Sequence, residues 1–140
     1  MRKILLMAKR SLSRKSVVKK LDTIFSQYIR LRKAKNGIAE CYTCGVRDHW
    51  KNLQCGHFMS RKHYSTRWDE LNCQVQCYKC NIHGYGEQFR FGQRLNKEYG
   101  NQTADILESK CRNIEKFSNG DLLEKVEYYK SIVEPLLNKK

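Results

Sequence analysis

Several things are scarce in this chain of 140 residues, and each scarcity narrows what it is. It holds no apolar stretch long enough to span a bilayer, which excludes a transmembrane helix. Met1-Arg2-Lys3 and the following Ile4–Ala8 resemble a secretion leader, but the apolar run is too short. Lys9-Arg10 follows at once, with no small-residue cleavage site. A reduced, cytoplasmic protein is therefore expected, in which the seven cysteines are thiols or metal ligands rather than disulfides. Acidic residues are nearly missing from the first 35 positions, where Asp22 stands alone against 12 Lys and Arg. The other 105 residues are nearly balanced, with 16 basic against 13 acidic. A basic arm on a balanced body is the footprint of a nucleic-acid partner; a solubilising tail or a helix on an anionic membrane are the competing explanations.

Apolar content is 40%, and 13 of the 15 aromatics are Tyr or Phe, so the core is small. A metal clip would offset the limited area that short segments can bury. From Ser16 to Lys35, Val17, Leu21, Ile24, Phe25, Tyr28 and Ile29 recur at three- and four-residue steps, predicting an amphipathic helix stopped by Asn36-Gly37. Residues 38–80 lack that period. Gln54–Met59 reads as one strand of a hairpin, followed by a loop with Arg61-Lys62-His63. Helices are predicted over Glu87–Tyr99, ended by Gly100, and over Thr103–Phe117 with Ile106, Leu107, Cys111 and Ile114 inward. A last helix starts after Ser118-Asn119-Gly120, and the one proline, Pro135, is expected to kink or end it. Its Leu, Val and Tyr stripe is a candidate homodimer surface, which burial within one subunit explains equally well. The linear division is a basic arm and helix over 1–36, a metal-bearing core over 37–100 and C-terminal helices over 101–140.

Cys41-Tyr-Thr-Cys44 and Cys77-Tyr-Lys-Cys80 are two C-x-x-C pairs separated by 32 residues. Each folds as a knuckle offering two thiolates, so together they make a closed Cys₄ shell for structural Zn²⁺. The gap exceeds the simplest ribbon spacing, so something is built between the knuckles. Cys55, Cys73 and Cys111 are left over; Cys111 lies on an apolar helix face, and Cys55-x-His57 is open to competing for a metal. His57, Asn72, Asn81 and His83 are free for other chemistry if zinc takes only the four paired cysteines. A structural histidine, or a zinc ligand in place of a cysteine, are the rival readings of His57.

Gly56-His57, then Asn72, then Cys77-x-x-Cys80-Asn81 resemble the HNH nucleases, whose α+β core is a ββα-metal unit often braced by zinc knuckles. A more specific resemblance is to the NinG (Rap) recombination proteins of lambdoid phages. It runs through Cys41-x-x-Cys44, Gly56-His57-Phe58, Arg67-Trp68-Asp69-Glu70-x-Asn72, Gln76-Cys77-x-x-Cys80-Asn81-x-His83 and Gly86. It covers roughly residues 38–110. The resemblance implies a metal-dependent endonuclease cleaving branched DNA, such as Holliday junctions or displacement loops, in the host cytoplasm. It implies His57 as general base, Asn72 fixing the His57 ring or its backbone, and Asn81 as an oxygen ligand to catalytic Mg²⁺ or Mn²⁺. His83 is a second ligand or a phosphate contact. A non-catalytic zinc module on nucleic acid and a sequence-specific HNH nuclease are the alternatives.

The acidic ligand of the HNH pattern has no counterpart before His57, where Cys55 and Gly56 stand; Asp48, Asp69 or Glu70 are the candidates to replace it. The Lys that often follows the final His is replaced by Gly84-Tyr85. Charge supplies candidate phosphate contacts: Arg61, Lys62 and Arg67 beside the hairpin, and Arg10, Arg14, Lys15, Lys19 and Lys20 in the arm.

Overall fold

The computed structural model describes residues 12–138. Arg10 and the leader-like segment lie outside the described residues. The described chain is mixed helix and small sheets, and it forms two compact units, 12–28 with 116–138 and 29–115. These units cut across the linear division, because one of them joins segments from both termini, a pairing that no boundary signal in the sequence announces.

Helix α1 (Arg14–Leu31), which belongs to the first unit up to Tyr28, is opened by Ser13, whose hydroxyl accepts the Ser16 N–H and satisfies one orphan donor of the first turn. Val17, Leu21 and Phe25 point into the unit and are almost fully buried. The C-terminal helix α5 (Asn119–Leu137) begins with a capping box. Ser118 Oγ accepts the Asp121 N–H, and the Asp121 carboxylate accepts the Ser118 N–H. Its Leu122, Val126, Tyr129 and Val133 are buried, and the Tyr129 ring meets Phe25 edge-on at 5.0 Å. Pro135 neither breaks nor immediately ends α5, which runs two residues further. It sits in the last turn and withholds the N–H that the Ser131 carbonyl would otherwise accept, without interrupting the helix.

The second unit is built around two antiparallel pairs. Strand β1 (Ile38–Glu40) pairs with β2 (Arg47–His49), and β3 (Gln54–His57) with β4 (Cys73–Gln76). Asn36-Gly37 does not cap a helix running to Lys35. Helix α1 ends at Leu31, and Asn36 (φ 52°) and Gly37 (φ 81°) form a two-residue turn across which Lys35 and Ile38 exchange both backbone hydrogen bonds. The primed turn explains the Asn-Gly pair better than a helix stop, since both residues adopt positive φ. A single-turn helix α2 (Tyr64–Arg67) lies in the β3–β4 connection, and a π-turn over Lys79–His83 follows β4.

Helix α3 (Gln88–Tyr99) and helix α4 (Thr103–Cys111) close the unit. Phe91 and Leu95 from α3 and Leu107 from α4 pack on Tyr42 and Phe58. A second cluster, Ala39, Leu53 and Val75, lies under the sheets. Helix α4 is shorter than the predicted Thr103–Phe117, so Ile114 falls beyond its end and is 88% exposed, and Ile106 is 61% exposed. Ile106 and Leu107 are consecutive and therefore about 100° apart on the helix, so only Leu107 and Cys111 share the buried stripe.

At Gly56, β3 and a side chain of β4 approach closely. A Cβ there would lie 1.9 Å from Gln76 Oε1 and 2.9 Å from Gln76 Cγ. Gln76 cannot withdraw, because it is fully buried and its amide donates to Thr43 Oγ1 and the Gly86 carbonyl. Gly56→Ala should therefore destabilise the protein by about 1–3 kcal/mol through overpacking. Urea unfolding would read this as a lower midpoint at unchanged m-value.

Candidate metal centres and the His57 hairpin

The first knuckle is a tight return. Cys41 N–H donates to the Val46 carbonyl, Gly45 N–H donates to the Cys41 carbonyl, and Gly45 takes φ 81°, which favours glycine. The second follows β4, with the Asn81 N–H on the Cys77 carbonyl and the Cys80 N–H directed at Cys77 Sγ. The Tyr42 N–H donates to the Val75 carbonyl at 2.8 Å and docks the first knuckle on β4. As a result the sulfurs of Cys41, Cys44, Cys77 and Cys80 all lie within 4.8 Å of one another, and Cys44 Sγ and Cys77 Sγ are 3.7 Å apart. A disulfide needs about 2.05 Å, whereas a tetrahedron with Zn–S bonds of about 2.3 Å has edges of about 3.8 Å. The four thiols fit a structural zinc.

Burial pushes the Cys41 thiol up, but the Cys77, Cys44 and Thr43 donors around it outweigh burial and bring it down to about 6. Cys80 is driven up to about 12, by burial first, with the Thr43 hydroxyl opposing and its thiol neighbours adding to the rise. One thiolate makes the next harder to form, and a dication removes that conflict.

His57 ends β3 outside this shell. Its Nε2 lies 2.9 Å from the Arg67 carbonyl, which only accepts, so the ring donates from Nε2. Asn72, fully buried, holds the loop that follows. Its Oδ1 accepts the Met59 N–H, its Nδ2 donates to the Met59 and Thr66 carbonyls, and its own carbonyl accepts the Phe58 N–H. The Gln88 amide donates to the Phe58 carbonyl, tying the start of α3 to the residue after His57.

Asn81 is held elsewhere. Its amide donates to Gln54 Oε1 at 2.7 Å. The unbroken β3–β4 register sends Gln54 and His57 to opposite faces, so this contact ties Asn81 to the face away from His57. His83 is exposed, edge-on to Tyr78 at 5.2 Å. Two of the candidate carboxylates, Asp69 and Asp48, are engaged elsewhere. Asp69 accepts the Leu71 and Asn72 N–H groups and pairs with Lys110, while Asp48 accepts from Asn52 and the His49 N–H. The ligand group gathered at His57 among the described residues contains no carboxylate, the donor that Mg²⁺ or Mn²⁺ favours.

What they form instead was visible only in part from sequence. Cys55 and His57 share one face of β3, and Cys73 is the cross-strand partner of His57, so the three ligand atoms come within 4.8 Å of one another. Cys55-x-His57 signalled two of the three; the register that adds Cys73 had no local signal. The Cys73 thiol is pushed well up, by burial first and then by Cys55 and Asp69, with Arg32 opposing. Arg32 itself is built in, donating to the Glu70 and Cys73 carbonyls and to Gln74 Oε1.

The basic candidates divide. Arg61 and Lys62 are exposed, whereas Arg67 donates to the Arg61 carbonyl and stacks over Tyr64 and Trp68. Arg14, Lys15, Lys19 and Lys20 are exposed on α1, and Arg14 donates to Asn119 Oδ1. No helix among the described residues is long and apolar enough to cross a membrane.

Two thiol knuckles clamping a hairpin in an α+β unit define a cysteine-cluster protein with the donor set of a structural zinc site. The family model described as bacteriophage lambda NinG protein matches residues 2–139, and the chain belongs to that family. The match extends well beyond residues 38–110, so the terminal helices are part of the family pattern too. No curated protein and no solved structure matches the chain.

Asn72→Ala would leave the Met59 N–H and the Thr66 carbonyl without their buried partner, at a cost of about 3 kcal/mol. Denaturant melts should register that loss, with Asn72→Asp recovering only the acceptor half. Stripping the metal with a strong chelator should unfold residues 29–115, measured as loss of near-ultraviolet circular dichroism, and restoring Zn²⁺ should return it.

Proposed function

We propose that this protein is an endonuclease acting on branched DNA, with His57 as the base that takes a proton from the attacking water. The observation that carries the reading is the His57 ring, held through Nε2–H by the Arg67 carbonyl on a hairpin braced by the four paired cysteines. That bond fixes the tautomer, so Nδ1 bears the lone pair that a general base needs. Asn72 is a positioning residue. It makes no contact with substrate, and it sets the backbone immediately after His57 by holding Met59. Arg61 and Lys62 hold the phosphates of the cleaved strand. The α1 residues Arg14, Lys15, Lys19 and Lys20 contribute further phosphate contacts, which position the protein without reading bases and suit recognition of a branch by shape.

Mg²⁺ or Mn²⁺ is part of the proposal as the cation that would neutralise phosphoryl charge. Asn81 is tied to the face away from His57 and the ligand group at His57 holds no carboxylate, so no step is assigned to it. The same observation favours a second reading, a non-catalytic zinc module that binds nucleic acid and recruits other proteins. NinG membership and the basic α1 support DNA as partner under either reading.

The test is cleavage of a labelled four-way junction, linear duplex and single strand, each with Mg²⁺, with Mn²⁺ and without either. The nuclease reading expects metal-dependent cuts at the junction and their loss in His57→Ala, whose fold and binding persist. Junction binding without cleavage under every condition would favour the recruiting module. If six basic side chains each neutralise a phosphate, affinity should fall by about a thousandfold between about 50 and 200 mM salt, as read by fluorescence anisotropy.

A further inference from the structure

The donors gathered around His57 are soft. Cys55 Sγ, Cys73 Sγ and one imidazole nitrogen lie within 4.8 Å of one another on one face of the β3–β4 hairpin. Cys73 is fully buried, while Cys55 and His57 are half-buried, so the group has a closed floor and a solvent-facing side. A disulfide does not account for the arrangement. Cys73 is opposite His57, and Cys55 is opposite Val75, so the two cysteines are diagonal neighbours. Diagonal Cα separations in an antiparallel pair are about 7–8 Å, beyond the usual disulfide span of about 4.4–6.8 Å. Thiolates select Zn²⁺ and other soft or borderline ions over Mg²⁺, and two thiolates with one imidazole leave a single tetrahedral position for solvent.

We propose that Cys55, His57 and Cys73 form a second zinc site, separate from the Cys41, Cys44, Cys77 and Cys80 shell. The binding claim stands on this geometry alone. Its consequence rests on the proposed role of His57: an imidazole that ligates zinc has no lone pair for water, so an ion here silences the base. Neutralisation by two thiolates lets Zn²⁺ sit near the Arg32 side chain, whose guanidinium is fixed on the Cys73 carbonyl. Ligand protons leave to solvent as the ion binds, two from the thiols, and no oxidant or reductant is needed.

The experiment is a Co²⁺ titration of the zinc-containing full chain, followed by thiolate-to-cobalt charge transfer in the near ultraviolet and tetrahedral ligand-field bands in the visible. One further equivalent is expected to bind with both signatures. Cys55→Ser and His57→Ala should each weaken it by about a hundredfold or more, beyond the loss seen for an outer-shell partner. Far-ultraviolet circular dichroism should show both variants folded. Uptake that is absent, or equal in wild type and both variants, would overturn the site. A parallel junction-cleavage assay separates the two claims. Where the protein cleaves, added Zn²⁺ should inhibit wild type in step with the cobalt isotherm, and cleavage unchanged at full occupancy would overturn the silencing. Absence of cleavage under every metal would refute the nuclease reading while the titration still decides the site.

Discussion

Everything in the residue 29–115 unit depends on the convergence of four cysteine sulfurs. The strands are three or four residues long and each sheet has only two, too little to stand alone in water. The Cys41–Cys44 knuckle emerges from β1 and the Cys77–Cys80 knuckle from β4, so a cation held by all four would join the two hairpins. The Tyr42–Val75 backbone bond then sets the register of one piece on the other, and Tyr42 becomes a wall of the small core with Phe58, Phe91 and Leu95.

That economy determines what His57 can be. A zinc satisfied entirely by thiolates leaves the imidazole outside the structural shell, at the end of a strand whose next residues are held by Asn72 and Gln88. The ring is oriented by a backbone carbonyl, a partner that neither titrates nor rotates away. Orientation alone is compatible with a base or with a metal ligand, and both uses draw on the same lone pair. The neighbours decide between hard and soft ions, and here they are two thiols with no carboxylate among them.

Legibility from sequence followed the range of the interaction. The structural cysteine set was readable because C-x-x-C is a local motif, and the β3 strand and helix α3 were readable from short patterns. Asn36-Gly37 was misassigned because helix stops and primed hairpin turns use the same residues; only the Lys35–Ile38 pairing separates them. Ile114 was placed inward on the assumption of a longer helix than α4 turned out to be, and Ile106 because it adjoins Leu107 in sequence although it lies off the buried stripe. At the site, Cys73 and the Arg67 carbonyl were invisible to motif reading: one acts through strand register, the other through backbone that carries no side-chain identity. The separation of Asn81 from His57 is likewise a consequence of two-residue alternation along β3, which a linear motif does not encode.

The claim beneath all of this is that structural zinc is held by sulfur alone. X-ray absorption at the zinc edge on protein carrying a single equivalent measures it directly. Four sulfurs at about 2.3 Å with no nitrogen in the shell is the predicted result. A shell containing one imidazole nitrogen at about 2.0 Å would place a histidine in the scaffold and contradict the account.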